Sequence, residues 1–134
     1  MIACDCAVCR STDPRDKRLR PSIYVDVPSY AGILVDAGPD LRQQALTFGV
    51  RHLDAILLTH AHADHILGLD EVRRFNAITG KPLACYASPS TWETVWKTFH
   101  YIFDGVPRMG GGIPKIDPHE IRGPILVDGV RVVP

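Results

Sequence analysis

Residues 59–68 are THAHADHILG. Three histidines and one aspartate, His60, His62, Asp64 and His65, fall within six positions. Directly before them, LDAILLT (53–59) is short and almost wholly apolar, as a central strand buried on both faces would be. A strand that ends in ligand-type side chains delivers them to the carboxyl edge of a sheet, where open α/β sheets place their ligands. His60 and His62 are two apart, which an extended segment aims to one side, and Asp64 and His65 follow on the next turn of chain. Imidazole nitrogen and carboxylate oxygen suit Zn²⁺, Mn²⁺ or Fe. Four such residues after a buried strand point to a metal centre rather than to a polar loop capping a helix.

Outward from this stretch the chain alternates strands and helices. SIYVDV (22–27) and AGILVD (31–36) predict a hairpin with a short loop. PDLRQQALTFG (39–49) has Leu41, Ala45, Leu46 and Phe48 near helical spacing, with Pro39 at the start and Gly49 as a stop. LGLDEVRRFNAITG (67–80) predicts a helix, PLACYAS (82–88) a strand, and SPSTWETVWKTFHYIF (88–103) a second helix opening on Ser–Pro. Trp92 and Trp96 lie at i, i+4 and predict a core-facing stripe. His52 and His100 have no partners in sequence and are expected to be structural. Residues 104–124, rich in Gly and Pro, have no periodicity and predict a long loop. Within it MGGGIP (109–114) suits either a mobile lid or a plain linker. ILVDGVRVV (125–133) predicts a hairpin turning at Asp128-Gly129. The fold class is α/β.

Composition bounds the rest. At 134 residues the chain suits one domain with a real core. Lysine plus arginine and aspartate plus glutamate each number 15, so a generic nucleic-acid coat is not expected. Residues 10–20 carry five basic and two acidic groups, net +3, fitting a solvated loop or an electropositive approach for anions. No signal peptide is visible, and no apolar run approaches the roughly 18 residues of a membrane span. Cys4, Cys6 and Cys9 crowd six positions and Cys85 lies far off, a poor disulfide framework and the pattern of a reduced, cytoplasmic metal loop. Cys85 is either a core residue or a substitute ligand. Asp36, shortly before Gly38, fits a turn residue.

The string HAHADH (60–65) resembles the HxHxDH signature of the metallo-β-lactamase fold hydrolases. CDCAVCRSTDPRDKRLRPS (4–22), LVDAGPDLRQQ (34–44), YIFDG (101–105) and GGGIPK (110–115) resemble one branch of them. That branch is similar to the cyclic phosphodiesterase of phosphonate breakdown and, more distantly, to tRNase Z. The resemblance implies half of an αββα sandwich, a mixed sheet with flanking helices. Residues 1–134 are expected to be a single partial domain, the amino-terminal half, lacking a first strand and the second half.

By position the resemblance assigns His60 and His62 to one metal, and Asp64 and His65 to another. Asp64 counts among the catalytic residues as well as the ligands. Two Zn²⁺, or Mn²⁺, would activate a bridging hydroxide against a small phosphodiester. Asp36 would orient a ligand histidine from behind. Cys4, Cys6 and Cys9 would hold a third, structural Zn²⁺ whose family fourth ligand is a later histidine; His119 stands outside that motif. Three further ligands of the catalytic pair belong to the second half. The alternatives are a catalytically silent metal-binding fragment, or a same-fold hydrolase of a thioester, lactone or RNA end. No membrane partner is expected, and a second copy of the chain is a candidate partner.

Overall fold

The computed structural model describes residues 2–108 and 112–134. Five strands form one sheet in the order β1 (Ile23–Val27), β2 (Ala31–Val35), β3 (Ala55–Leu57), β4 (Leu83–Ala87), β5 (Ile116–Glu120). β1 and β2 are an antiparallel hairpin, and the other neighbours are parallel. The first hairpin, the central strand and the strand at 82–88 therefore stand where the sequence places them. β2 and β3 run the same way, so their carboxyl ends, carrying Asp36 and His60, reach the same sheet edge.

Alternation along the strands loads both faces. Leu34, Ile56 and Cys85 face a core shared with Leu41 of α2 (Leu41–Phe48), Phe75 of α4 (Arg73–Thr79), and Trp92 and Val95 of α5 (Pro89–Thr98). Ala31, Ile33, Ala55 and Leu57 face the other way, onto Val127 and the hairpin of β6 (Ile125–Val127) and β7 (Val130–Val132). Each fully buried Leu, Ile or Val contributes about 1.5–3 kcal/mol. Helices, mixed sheet and hairpin make the layers of a half sandwich. Gly49 closes α2 in the left-handed conformation, φ 67°. No helix among the described residues is long and apolar enough to cross a membrane.

Four expectations are corrected. β5 lies inside the stretch expected to be loop. It is an edge strand with four of its five residues exposed, and Pro118 sits in it opposite Cys85. An edge tolerates proline because the ladder bond on the outer side is not needed. Alternation is absent because no face of β5 is deeply buried. The single helix over 67–80 is a 3₁₀ turn, Leu69–Val72, followed by α4. Trp96 is not core: Trp92 is buried at 1% exposure, whereas Trp96 stays 43% exposed and stacks on it at 5.8 Å. In the other predicted helix, α5 gives way at Phe99 to the short α6 (His100–Phe103), with Ser88 capping the start. The MGGGIP stretch falls partly outside the described residues.

Candidate metal centre

His60, His62, Asp64 and His65 leave the end of β3 through a short turn into α3 (Ala63–Ile66). The imidazole centroids of His60 and His62 are 4.6 Å apart, and those of His60 and His65 are 4.0 Å apart. His65 Nε2 lies 3.6 Å from Asp64 Oδ2, too long for a good hydrogen bond and close enough to share an ion. All four predicted residues thus gather at the carboxyl edge of the sheet.

Behind them stands Asp36, whose side chain is only 8% exposed. Its Oδ1 accepts the Thr59 backbone N–H at 2.8 Å. Its Oδ2 accepts the Thr59 hydroxyl at 2.7 Å and His65 Nδ1 at 2.7 Å. An ionised carboxylate has no proton to give, so His65 donates from Nδ1 and its Nε2 keeps the lone pair. Asp36 is therefore the acceptor beside the histidines rather than a turn residue alone. Its φ is +62°, a conformation L-residues adopt reluctantly. The surroundings impose it: Asp36 N–H donates to Leu57 O at 2.9 Å and Ala37 N–H to His65 O at 2.8 Å.

Two close approaches lock this frame. A Cβ on Gly38 would stand 2.2 Å from the Asp64 carbonyl oxygen, and one on Gly68 would stand 2.0 Å from the Gly38 carbonyl oxygen. Gly68 N–H donates to Ala37 O at 2.8 Å. Glycine at both positions lets the β2 loop press against α3, so the backbone carrying Asp64 and His65 is fixed by the sheet.

The cysteine site is built otherwise. Cys4, Cys6 and Cys9 place their sulfurs within 4.8 Å of one another. Cys6 caps α1 (Ala7–Arg10), its Sγ accepting the Cys9 backbone N–H at 3.5 Å. That bond, with the Cys4 and Cys9 thiols, lowers the Cys6 thiol to about 7. Cys85 is not a substitute ligand: it is fully buried in β4, and burial pushes its thiol up. His119, on β5, is engaged with Asp117 at 2.9 Å and stacked on Tyr86. His52 is half-exposed against Tyr24 and Asp26.

Sequence reasoning missed Thr59 although it stands inside the opening stretch. Its position beside His60 was visible, but its bond to Asp36 joins residues 23 apart. It also missed the Asp70–Tyr101 bond of 2.9 Å that ties the 3₁₀ turn to α6; burial there pushes the Tyr101 phenol up to about 12.

His60, His62, Asp64 and His65 thus stand together at the carboxyl edge of a mixed α/β sheet. The donor set, imidazole nitrogens and carboxylate oxygen, fits a divalent ion. Residues 32–134 match the beta-lactamase superfamily domain, and the chain belongs to that superfamily. It is 40% identical to the crystal structure of a diphosphatase from the PhnP family, with a TM-score of 0.85, covering 100% of this chain and 50% of that one. It is 38% identical over 133 residues to an octanoyltransferase of Porphyromonas gingivalis, 99% of this chain but 27% of that protein. It is 33% identical over 105 residues to coenzyme PQQ synthesis protein B of Methylorubrum extorquens, 69% of this chain and 33% of that protein. The chain thus spans under half the length of the curated relatives it matches.

Proposed function

We propose that the chain is the amino-terminal half of a metal-dependent hydrolase acting on a phosphoester, in which His60 and His62 hold one divalent ion, and Asp64 and His65 hold a second. The observation that carries this is the hydrogen-bonded frame in which Asp36 fixes His65 by Nδ1 and leaves Nε2 open at the sheet edge. Zn²⁺ or Mn²⁺ bound there would supply Lewis acidity and bring a water's pKa toward neutrality. The protein's own part is orientation. Asp36 holds His65, the Gly38–Gly68 contact holds the backbone of Asp64, and Asp64 presents a half-exposed carboxylate. Cys4, Cys6 and Cys9 hold a third, structural Zn²⁺ as thiolates.

The likeness to a diphosphatase favours cleavage at a phosphorus centre, whether in a phosphodiester or a diphosphate, over a thioester, lactone or RNA end. Four ligands come from the matched motif, and we assign the rest to a second half. A loosely held pair of ions positions substrate poorly, so residues 1–134 alone are expected to turn over little. The experiment is hydrolysis of bis(p-nitrophenyl) phosphate and of a diphosphate ester with added Zn²⁺ or Mn²⁺, by this chain and by a chain extended through a second half. Turnover by the longer chain, lost on His62→Ala, supports the proposal. Robust metal-dependent turnover by residues 1–134, lost on His62→Ala, would show that the half assignment is wrong. It would mean the missing ligands are replaced by His119 or by a second copy. Thioester or lactone hydrolysis without phosphoester hydrolysis overturns the substrate class.

A further inference from the structure

We propose that Thr59 is a positioning residue of the metal centre, its hydroxyl relaying the charge of Asp36 to His60 and fixing His60 as the tautomer protonated on Nδ1. This rests on the metal-centre proposal but concerns a different group from the Asp36–His65 contact. Thr59 Oγ1 has two polar neighbours, Asp36 Oδ2 at 2.7 Å and His60 Nδ1 at 2.9 Å. A hydroxyl carries one proton and accepts through its lone pairs. Asp36 already receives the Thr59 backbone N–H and His65 Nδ1, so it stands as an acceptor on every side. The hydroxyl proton therefore goes to Asp36. What remains on Oγ1 toward His60 is a lone pair, so His60 must supply the proton from Nδ1. Its Nε2 then keeps the lone pair that an ion needs.

One buried carboxylate thereby sets both rings: His65 directly and His60 through one hydroxyl. The two rings belong to different ions in the proposed pair and lie 4.0 Å apart, so both ligand nitrogens are set from the same anchor. A threonine whose hydroxyl only satisfied Asp36 would leave the His60 tautomer free, and that difference can be read without any activity.

The test uses the full chain with Cys4, Cys6 and Cys9 changed to serine, so that bound ions report on the His/Asp cluster. Long-range ¹H–¹⁵N spectra of the metal-free protein, at a pH where imidazoles are neutral, give the tautomer of each histidine. Calorimetric titration with Zn²⁺ and Mn²⁺ gives affinity. His60 is expected to carry its proton on Nδ1 in the parent and in Thr59→Ser. In Thr59→Val, which keeps the shape and loses the hydroxyl, His60 is expected to become a tautomer mixture. Metal affinity there should fall by roughly 10–100-fold, the usual effect of losing a group that orients a ligand, and Thr59→Ser should restore it. A proton on Nε2 of His60 in the parent, or a tautomer and affinity unchanged in a folded Thr59→Val, overturns the relay. A locked His60 that Thr59→Val releases, in a chain extended through a second half that still binds neither ion, would sink the metal-centre proposal and leave the relay standing.

Discussion

Asp64 and His65 are tied to the sheet through Asp36, Ala37 and Gly68, whereas Cys4, Cys6 and Cys9 hang on a four-residue helix that buries nothing. Both clusters are rich in ligand atoms. In the first, strand order, a left-handed aspartate and two glycine contacts decide where each ring points. In the second, close spacing brings three sulfurs together, and the backbone N–H groups of Val8 and Cys9 turn toward the Cys6 sulfur. The fold fixes the His65 ring through Asp36, whereas among the described residues only the cysteine trio brings three ligand atoms within 4.8 Å of one another. The cysteine loop has so little else to hold it that an ion there would itself be the core of the loop.

The sharpest way to break this contrast is to remove the anchor. Asp36→Ala strands the Thr59 N–H and His65 Nδ1 donors and puts alanine at φ +62°. A loss on the order of 3 kcal/mol or more is expected in a denaturant midpoint measured without metal. An unchanged midpoint would mean that the site frame is not part of the fold.

Closing the glycine approach comes next. Gly68→Ala drives a methyl onto the Gly38 carbonyl oxygen, backbone against backbone, and should cost about 1–3 kcal/mol by the same measurement. Asp36→Asn is subtler, because asparagine tolerates the left-handed conformation. With the amide NH₂ turned toward Thr59 and His65, the polarity of the network reverses. Both rings then carry protons on Nε2, where ions would bind, and metal affinity should fall roughly 10–100-fold with little change in stability.

The smallest effect is expected at the cysteine loop. Changing Cys4, Cys6 and Cys9 together to serine should shift the metal-free midpoint by no more than about 0.5 kcal/mol, since these residues lie outside the core, while abolishing zinc binding there. Alkylation sharpens the point. Thiolate is the reactive form, so labelling of Cys6 in the metal-free chain should be half-maximal near pH 7, present above and fading as pH falls. Cys85, buried and pushed up, should label only on unfolding.

What the sequence disclosed follows the same division. The histidine cluster, its strand and the two hairpins were legible because a buried strand leaves an apolar run, β-branched runs flank short turns, and the second turn carries Asp128-Gly129. β5 was not, because an exposed edge strand with Pro118 has neither alternation nor a ladder requirement to announce it. Trp96 was misjudged because i, i+4 spacing aligns two side chains on one helix face without saying how deep that face is buried. The role of Asp36 came from resemblance. Its left-handed backbone and the Thr59 relay depend on contacts between β2 and the end of β3, which no local pattern records.

The decisive question is where a divalent ion binds. Crystals of the chain soaked in Mn²⁺ or Zn²⁺ and measured at the metal's absorption edge locate the ion by anomalous scattering. A peak about 2.0–2.2 Å from the imidazole nitrogens of His60 and His62, or from His65 Nε2 and the Asp64 carboxylate, is the predicted result. Density at the cysteine trio alone, with the His60 and His65 rings facing no ion, would contradict it.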